Sequence, residues 1–105
     1  TYFDELLDIC KKYQVTAIIS LNDLELPLLT ARKAMFEAVG TKVLVSSEKV
    51  IEIGADKWET YKFLIEHGFK SPRTFIELDK AKEAIKKGEI QFPVVIKPRW
   101  GSASI

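Results

Sequence analysis

The chain has 105 residues, the length of one domain or of parts of two. Apolar residues make up 47% and charged residues 30%, a globular composition that excludes wholesale disorder, collagen and low-complexity repeats. Lys and Arg number 16 against 15 Asp and Glu, so the net charge of +1 gives no broad field for nucleic acid or a membrane surface.

Phe3, Leu6, Leu7, Cys10 and Tyr13 recur at steps of three and four, which predicts an amphipathic helix with Asp4, Glu5, Asp8, Lys11 and Lys12 facing water. Val15–Leu21 follows as a short β-branched run without polar alternation, the pattern of a strand buried on both faces of a parallel sheet. A second helix is expected over Leu24–Val39, with Asp23 as N-cap, Pro27 in the first turn and Gly40 as its stop. Lys42–Ser46 reads as a second buried strand. Ser47 then caps a brief helix that Gly54 breaks. Asp56 with Glu59 three residues on resembles a capping box, and Trp58, Tyr61, Leu64 and Ile65 form the apolar stripe of the helix it opens. Gly68 ends that helix, and Ser71-Pro72 marks a turn. Arg73–Leu78 reads as a strand. Asp79 caps a charged helix running to Lys87, and Phe92–Lys97 is a final strand with Pro93 at its start. The alternation of helices and strands predicts an α/β fold built on a parallel sheet. A soft boundary near Gly54–Asp56 separates residues 1–54 from 55–105.

Cys10 is the single cysteine, so no internal disulfide is available and a reducing, cytoplasmic setting fits. No apolar run approaches the roughly 20 residues of a membrane span. The chain opens on Thr1 and its one Met is Met35, which reads as an internal segment of a longer protein.

Chemistry concentrates in the last fourteen residues. Lys97 ends an apolar run, Arg99 follows, and Gly101-Ser102-Ala103-Ser104 forms a small-residue loop. Small residues let backbone N–H groups approach an anion, and two cations beside them suit a nucleotide's phosphates. The same residues also suit a solvated turn carrying two surface cations. Lys57 sits just after an expected N-cap, where a bound phosphate would offset its opposition to the helix dipole. Taken alone, the residue reads first as an exposed lysine. Asp23 and Glu25 lie at a strand's carboxyl end, where capping and ligand binding are both open. His67 and Cys10 read as structural, and Trp100 as either packing or stacking.

Two stretches carry a family resemblance. Ser47-Glu48-Lys49-Val50-Ile51-Glu52-Ile53-Gly54-Ala55-Asp56-Lys57, with Thr60, Phe63-Leu64, Gly68 and Ser71-Pro72-Arg73-Thr74, resembles the entry to an ATP-grasp domain. Phe92-Pro93-Val94-Val95-Ile96-Lys97-Pro98-Arg99 with Gly101–Ser104 resembles the ATP-binding lysine strand and phosphate-covering loop of that family. Asn22–Leu29 resembles the tail of the pre-ATP-grasp domain, and the nearest likeness is to carbamoyl-phosphate synthase large subunit-like ligases. Ala103 stands where many relatives carry a second glycine.

The resemblance implies that residues 1–54 end a pre-ATP-grasp α/β domain and that residues 55–105 begin a truncated ATP-grasp domain. It implies an ATP- and Mg²⁺-dependent ligase that phosphorylates a small-molecule carboxylate to an acyl-phosphate, which an amine or thiol-type nucleophile attacks. Lys57, Lys97, Arg99, Gly101, Ser102, Ala103 and Ser104 would contact the nucleotide. The metal ligands are expected beyond Ile105, so the 105-residue piece by itself is expected to be inactive. A homo-oligomer is left open, because association of this piece through truncated sheet edges would say nothing about the parent. The alternative reading is a non-catalytic α/β binding or interaction module. A nicotinamide-binding Rossmann domain is weakly supported, because no Gly-x-Gly-x-x-Gly follows any expected strand.

Overall fold

A computed structural model describes residues 1–101. The elements in chain order are α1 (Tyr2–Tyr13), β1 (Ala17–Ile18), α2 (Leu26–Glu37), β2 (Lys42–Val43), α3 (Glu48–Ala55), α4 (Lys57–Glu66) and α5 (Leu78–Lys86). The chain forms two compact units, Thr1–Glu52 and Ile53–Ile105, and the division falls inside α3.

In the first unit, α1 follows its apolar spacing. Phe3, Leu6 and Leu7 pack onto a core of Cys10, Leu29, Phe36 and Val43, each 1% exposed. Thr1 caps the helix by accepting from the amide of Asp4, and Gln14 ends it in the left-handed region at φ 52°. Cys10 is a core residue, as its place on the stripe predicts.

The two strands run parallel, with Ala17 opposite Lys42 and Ile18 opposite Val43. The connecting α2 makes this a β-α-β unit. Thr41 is fully buried, and its hydroxyl donates to the carbonyl of Val15 at 2.7 Å, tying the entry of β2 to the entry of β1. The ladder extends on either side, from the Lys42 amide to the Thr16 carbonyl at 2.8 Å and from the Leu44 amide to the Ile18 carbonyl at 2.9 Å.

Both strands are shorter than the apolar runs that announce them. Ile18, Val43 and Val45 face the core, whereas Ile19 is 68% and Leu44 is 48% exposed. The sheet is therefore covered on one face, not on both. Successive side chains point to opposite faces, so a sheet with helices on one side buries only alternate residues.

Three further expectations need correction. Residue 24 does not begin α2. The Asn22 side chain accepts from the Leu24 amide at 3.0 Å, an Asx-type turn that delays the helix to Leu26 and leaves Asp23 outside it. Pro27 does sit in the first turn. Asp79 lies in the first turn of α5, behind an N-cap at Glu77 that makes no side-chain cap bond. Neither 73–77 nor 92–97 forms a strand, and Leu78 starts a helix. An extended segment becomes a sheet strand only when a neighbour satisfies its backbone, and among the described residues none pairs with these two. Phe92, Val95 and Ile96 are accordingly 73%, 83% and 88% exposed.

In the second unit, Thr60 donates its hydroxyl to the Ile53 carbonyl at 2.6 Å and so joins the end of α3 to α4. Ala84 of α5 is buried, and its carbonyl accepts from the amide of Glu89 at 2.9 Å. Gly68 at φ +74° ends α4, a conformation that costs glycine nothing. Among the described residues, no helix is long and apolar enough to cross a membrane.

The first unit depends on its aromatic centre. Phe36→Ala is expected to cost about 3–5 kcal/mol of that unit's stability in urea denaturation, because it removes the largest fully buried side chain of the cluster. A loss below about 1 kcal/mol, the range of surface substitutions, would contradict this assignment of the core.

Candidate functional site

The site grows from the first turn of α4. A helix start exposes unpaired amides, and Asp56 meets them with its carboxylate. Oδ1 accepts from the amides of Trp58 at 2.9 Å and Glu59 at 3.4 Å. Asp56 is thus the N-cap that the sequence predicts, but the capping box is only half formed, because Glu59 pairs with Lys62 at 2.8 Å instead of accepting from the Asp56 amide.

The same carboxylate takes Arg99, 43 residues later in the chain. Arg99 Nε lies 2.8 Å from Oδ1 and 2.9 Å from Oδ2, and a terminal guanidinium nitrogen lies 2.7 Å from Oδ2. A planar fork on a carboxylate is the strongest common side-chain ion-pair geometry. Asp56 is only 8% exposed, so this pair is shielded from solvent more than any other in the chain's described residues. Glu59 Oε1 stands 3.7 Å from the same guanidinium, and the Trp100 ring lies 4.6 Å from its central carbon. Trp100 therefore stacks on a cation.

These contacts set the Asp56 acidity. Hydrogen bonds from Arg99 are the largest influence and lower the carboxyl from its ordinary 3.8 to about 2, with burial opposing them. The amides of Trp58 and Glu59 and the charge of Arg99 add to the lowering. Arg99 is held further above its usual value by the same hydrogen bonds.

Lys57 completes the arrangement. Its amide donates to the Arg99 carbonyl at 3.1 Å, and its ammonium donates to the Gly101 carbonyl at 2.8 Å. Gly101 adopts φ +99°, where side-chain-bearing residues are strained. The segment 99–101 is thus held against the start of α4 by one ion pair and two hydrogen bonds.

Of the residues singled out in the sequence, Lys57, Arg99 and Gly101 come together. Lys97 is exposed two residues upstream of Arg99. Ser102, Ala103 and Ser104 lie outside the described residues. Asp23 is an exposed turn residue, while Glu25 accepts from Ser20 Oγ at 2.6 Å and from the Tyr2 hydroxyl at 3.0 Å. That network closes the turn between β1 and α2. His67 Nδ1 lies 2.8 Å from the Phe63 carbonyl and its ring stacks on Phe63 at 4.1 Å, a structural setting. Trp58 and Tyr61 stack on one another at 5.4 Å, one helical turn apart.

Sequence reasoning missed the tie between Asp56 and Arg99. Both residues lie in the two stretches that carry the ATP-grasp likeness, but nothing in their spacing pairs them.

Comparison with known families gives one match. Residues 1–44 match the family model described as PylC-like, N-terminal domain. This likeness lies with ATP-grasp-related ligases, and nothing in it points to carbamoyl-phosphate synthase in particular. No curated protein matches the chain.

The ion pair has a pH signature. Asp56 is depressed in the folded chain, so its contribution is fully present above its unfolded value near 3.8 and is lost as pH falls through about 2. The stability advantage of the unaltered chain over Asp56→Asn is therefore expected to be constant from neutrality to about pH 4 and to shrink towards about pH 2, read as urea midpoints. An advantage that is unchanged across that window would contradict the pairing.

Proposed function

We propose that the chain is part of an ATP-dependent ligase of the ATP-grasp type, with the start of α4 and the segment 97–104 forming its phosphate-binding side. The observation that carries this reading is the placement of the Lys57 ammonium at the Gly101 carbonyl, 44 residues away in sequence. It joins one of the two lysines of the ATP-grasp likeness to the loop that follows the other. The PylC-like match over residues 1–44 supports the same class from the first unit.

In this reading Lys57 and Lys97 supply positive charge to the phosphates, and Gly101 with residues 102–104 offers backbone N–H groups to the β- and γ-phosphates. Compact ammonium groups and pre-oriented amides stabilise charge on a transferring phosphoryl group. A substrate carboxylate oxygen attacks the γ-phosphorus and ADP leaves; an amine or thiol-type nucleophile then bonds to the carbonyl carbon of the acyl-phosphate, giving up a proton as inorganic phosphate departs. Mg²⁺ is expected to accompany ATP. Among the described residues no group of three or more His, Cys, Asp or Glu fits a metal ion, and the ligands for Mg²⁺ are expected beyond Ile105. The substrate carboxylate and a cytoplasmic setting belong to the same proposal.

Calorimetric titration with MgATP tests it. Lys97→Ala and Lys57→Ala are each expected to weaken binding by about tenfold or more, the scale of one lost charge-assisted contact, with circular dichroism unchanged. Undiminished binding in both variants would contradict the assignment. The 105-residue chain alone is expected to release no phosphate from ATP, and metal-dependent turnover by it would overturn that expectation.

A further inference from the structure

Arg99 and Lys57 are both cations of the candidate phosphate side, yet their surroundings differ. Arg99 spends Nε and one terminal nitrogen on Asp56, and Glu59 stands 3.7 Å from the same nitrogen. Two carboxylates thus flank one guanidinium. Lys62 Nζ in turn holds Glu59 Oε1 at 2.8 Å, so Asp56, Glu59, Arg99 and Lys62 together sum to zero and Arg99 has no uncompensated charge to offer a phosphate. The main chain of the same residue behaves in the opposite way. The Arg99 carbonyl accepts from the Lys57 amide, and two residues later the Gly101 carbonyl accepts from the Lys57 ammonium.

We infer that Asp56 and Arg99 are positioning residues for the phosphate loop: their ion pair clasps the segment 99–101 to the start of α4, and Arg99 is not itself a phosphate ligand. This rests on the ligase reading above and departs from the expectation, drawn from the family resemblance, that Arg99 contacts the nucleotide. Asp56 is suited to the task because a single carboxylate sets both the first turn of α4 and the docking of Arg99. Whatever orients the helix start also orients the loop. Trp100 covers one face of the guanidinium and limits its departure towards solvent. The clasp leaves Lys57 able to exchange one partner, since among the described residues its ammonium holds only a neutral carbonyl that a phosphate oxygen can replace.

The two roles for Arg99 predict opposite signs for one substitution. Asp56→Ser keeps a good N-cap while removing the carboxylate that holds Arg99. If Arg99 were a phosphate ligand, releasing it and deleting a negative charge would tighten MgATP binding. The clasp predicts the reverse: Asp56→Ser and Arg99→Met each weaken MgATP binding about tenfold, and the double variant is no weaker than the weaker single one, because both remove the same contact. Arg99→Lys, which keeps the charge but not the fork, is expected to recover little. A second readout needs no nucleotide. Hydrogen exchange at the Lys57 amide, which donates to the Arg99 carbonyl, is expected to accelerate in all of these variants, while amides in the middle of α4 keep their protection. Tighter or unchanged MgATP binding in Asp56→Ser would overturn the clasp and return Arg99 to the phosphates. Unchanged exchange at Lys57 would overturn it independently. If the unaltered protein fails to bind MgATP, the ligase reading fails with it, and accelerated exchange at Lys57 then upholds the clasp as a structural tie alone.

Discussion

One carboxylate organises the second unit. Asp56 has two oxygens and about four acceptor positions, and all of them are engaged. Oδ1 receives two amides of α4 and the Arg99 Nε, and Oδ2 receives the guanidinium fork. Removing either partner would leave a shielded charge without its complement, a costlier state than never having formed the pair. The geometry of Lys57 follows from this constraint. A residue one step past the cap has its amide and side chain aimed where the cap places them, and here both meet the 99–101 segment. Local helix chemistry thereby becomes a contact between distant parts of the chain.

The residues show why some of this was legible in the sequence and some was not. The stripe of α1 and the Asp56–Gly68 limits of α4 follow from period and capping, which are local properties. At the start of α2 two side chains compete. Asp23 has the composition of a cap, but Asn22 reaches the next turn first and delays the helix. The β-branched and apolar content of 73–78 and 92–97 predicts strands, yet such content gives only a preference. A strand is completed by a partner's backbone, which composition does not supply. The pairing of Asp56 with Arg99 lies at the same level. Each residue is visible alone, one as a cap and one as a cation, and only the fold cancels their charges against each other.

Two separate lines support the ligase reading. The first unit carries a β-α-β arrangement and the PylC-like match over residues 1–44. The second carries the contact between Lys57 and Gly101. Neither depends on the other, and the ATP-grasp proposal is what links them. Its physical content is modest and specific. A triphosphate requires cations that are not already neutralised, and the surroundings of Arg99 and Lys57 differ in that respect.

The most direct measurement is the nuclear magnetic resonance of the Arg99 side-chain Nε–H. Held between both oxygens of a shielded carboxylate, this proton should exchange slowly with water. Its shift should also follow the protonation of Asp56, changing only as pH approaches about 2. A rapidly exchanging Nε–H with the shift of a free arginine, indifferent to pH across that range, would show that the pair does not form and would remove the basis for placing Lys57 beside the loop.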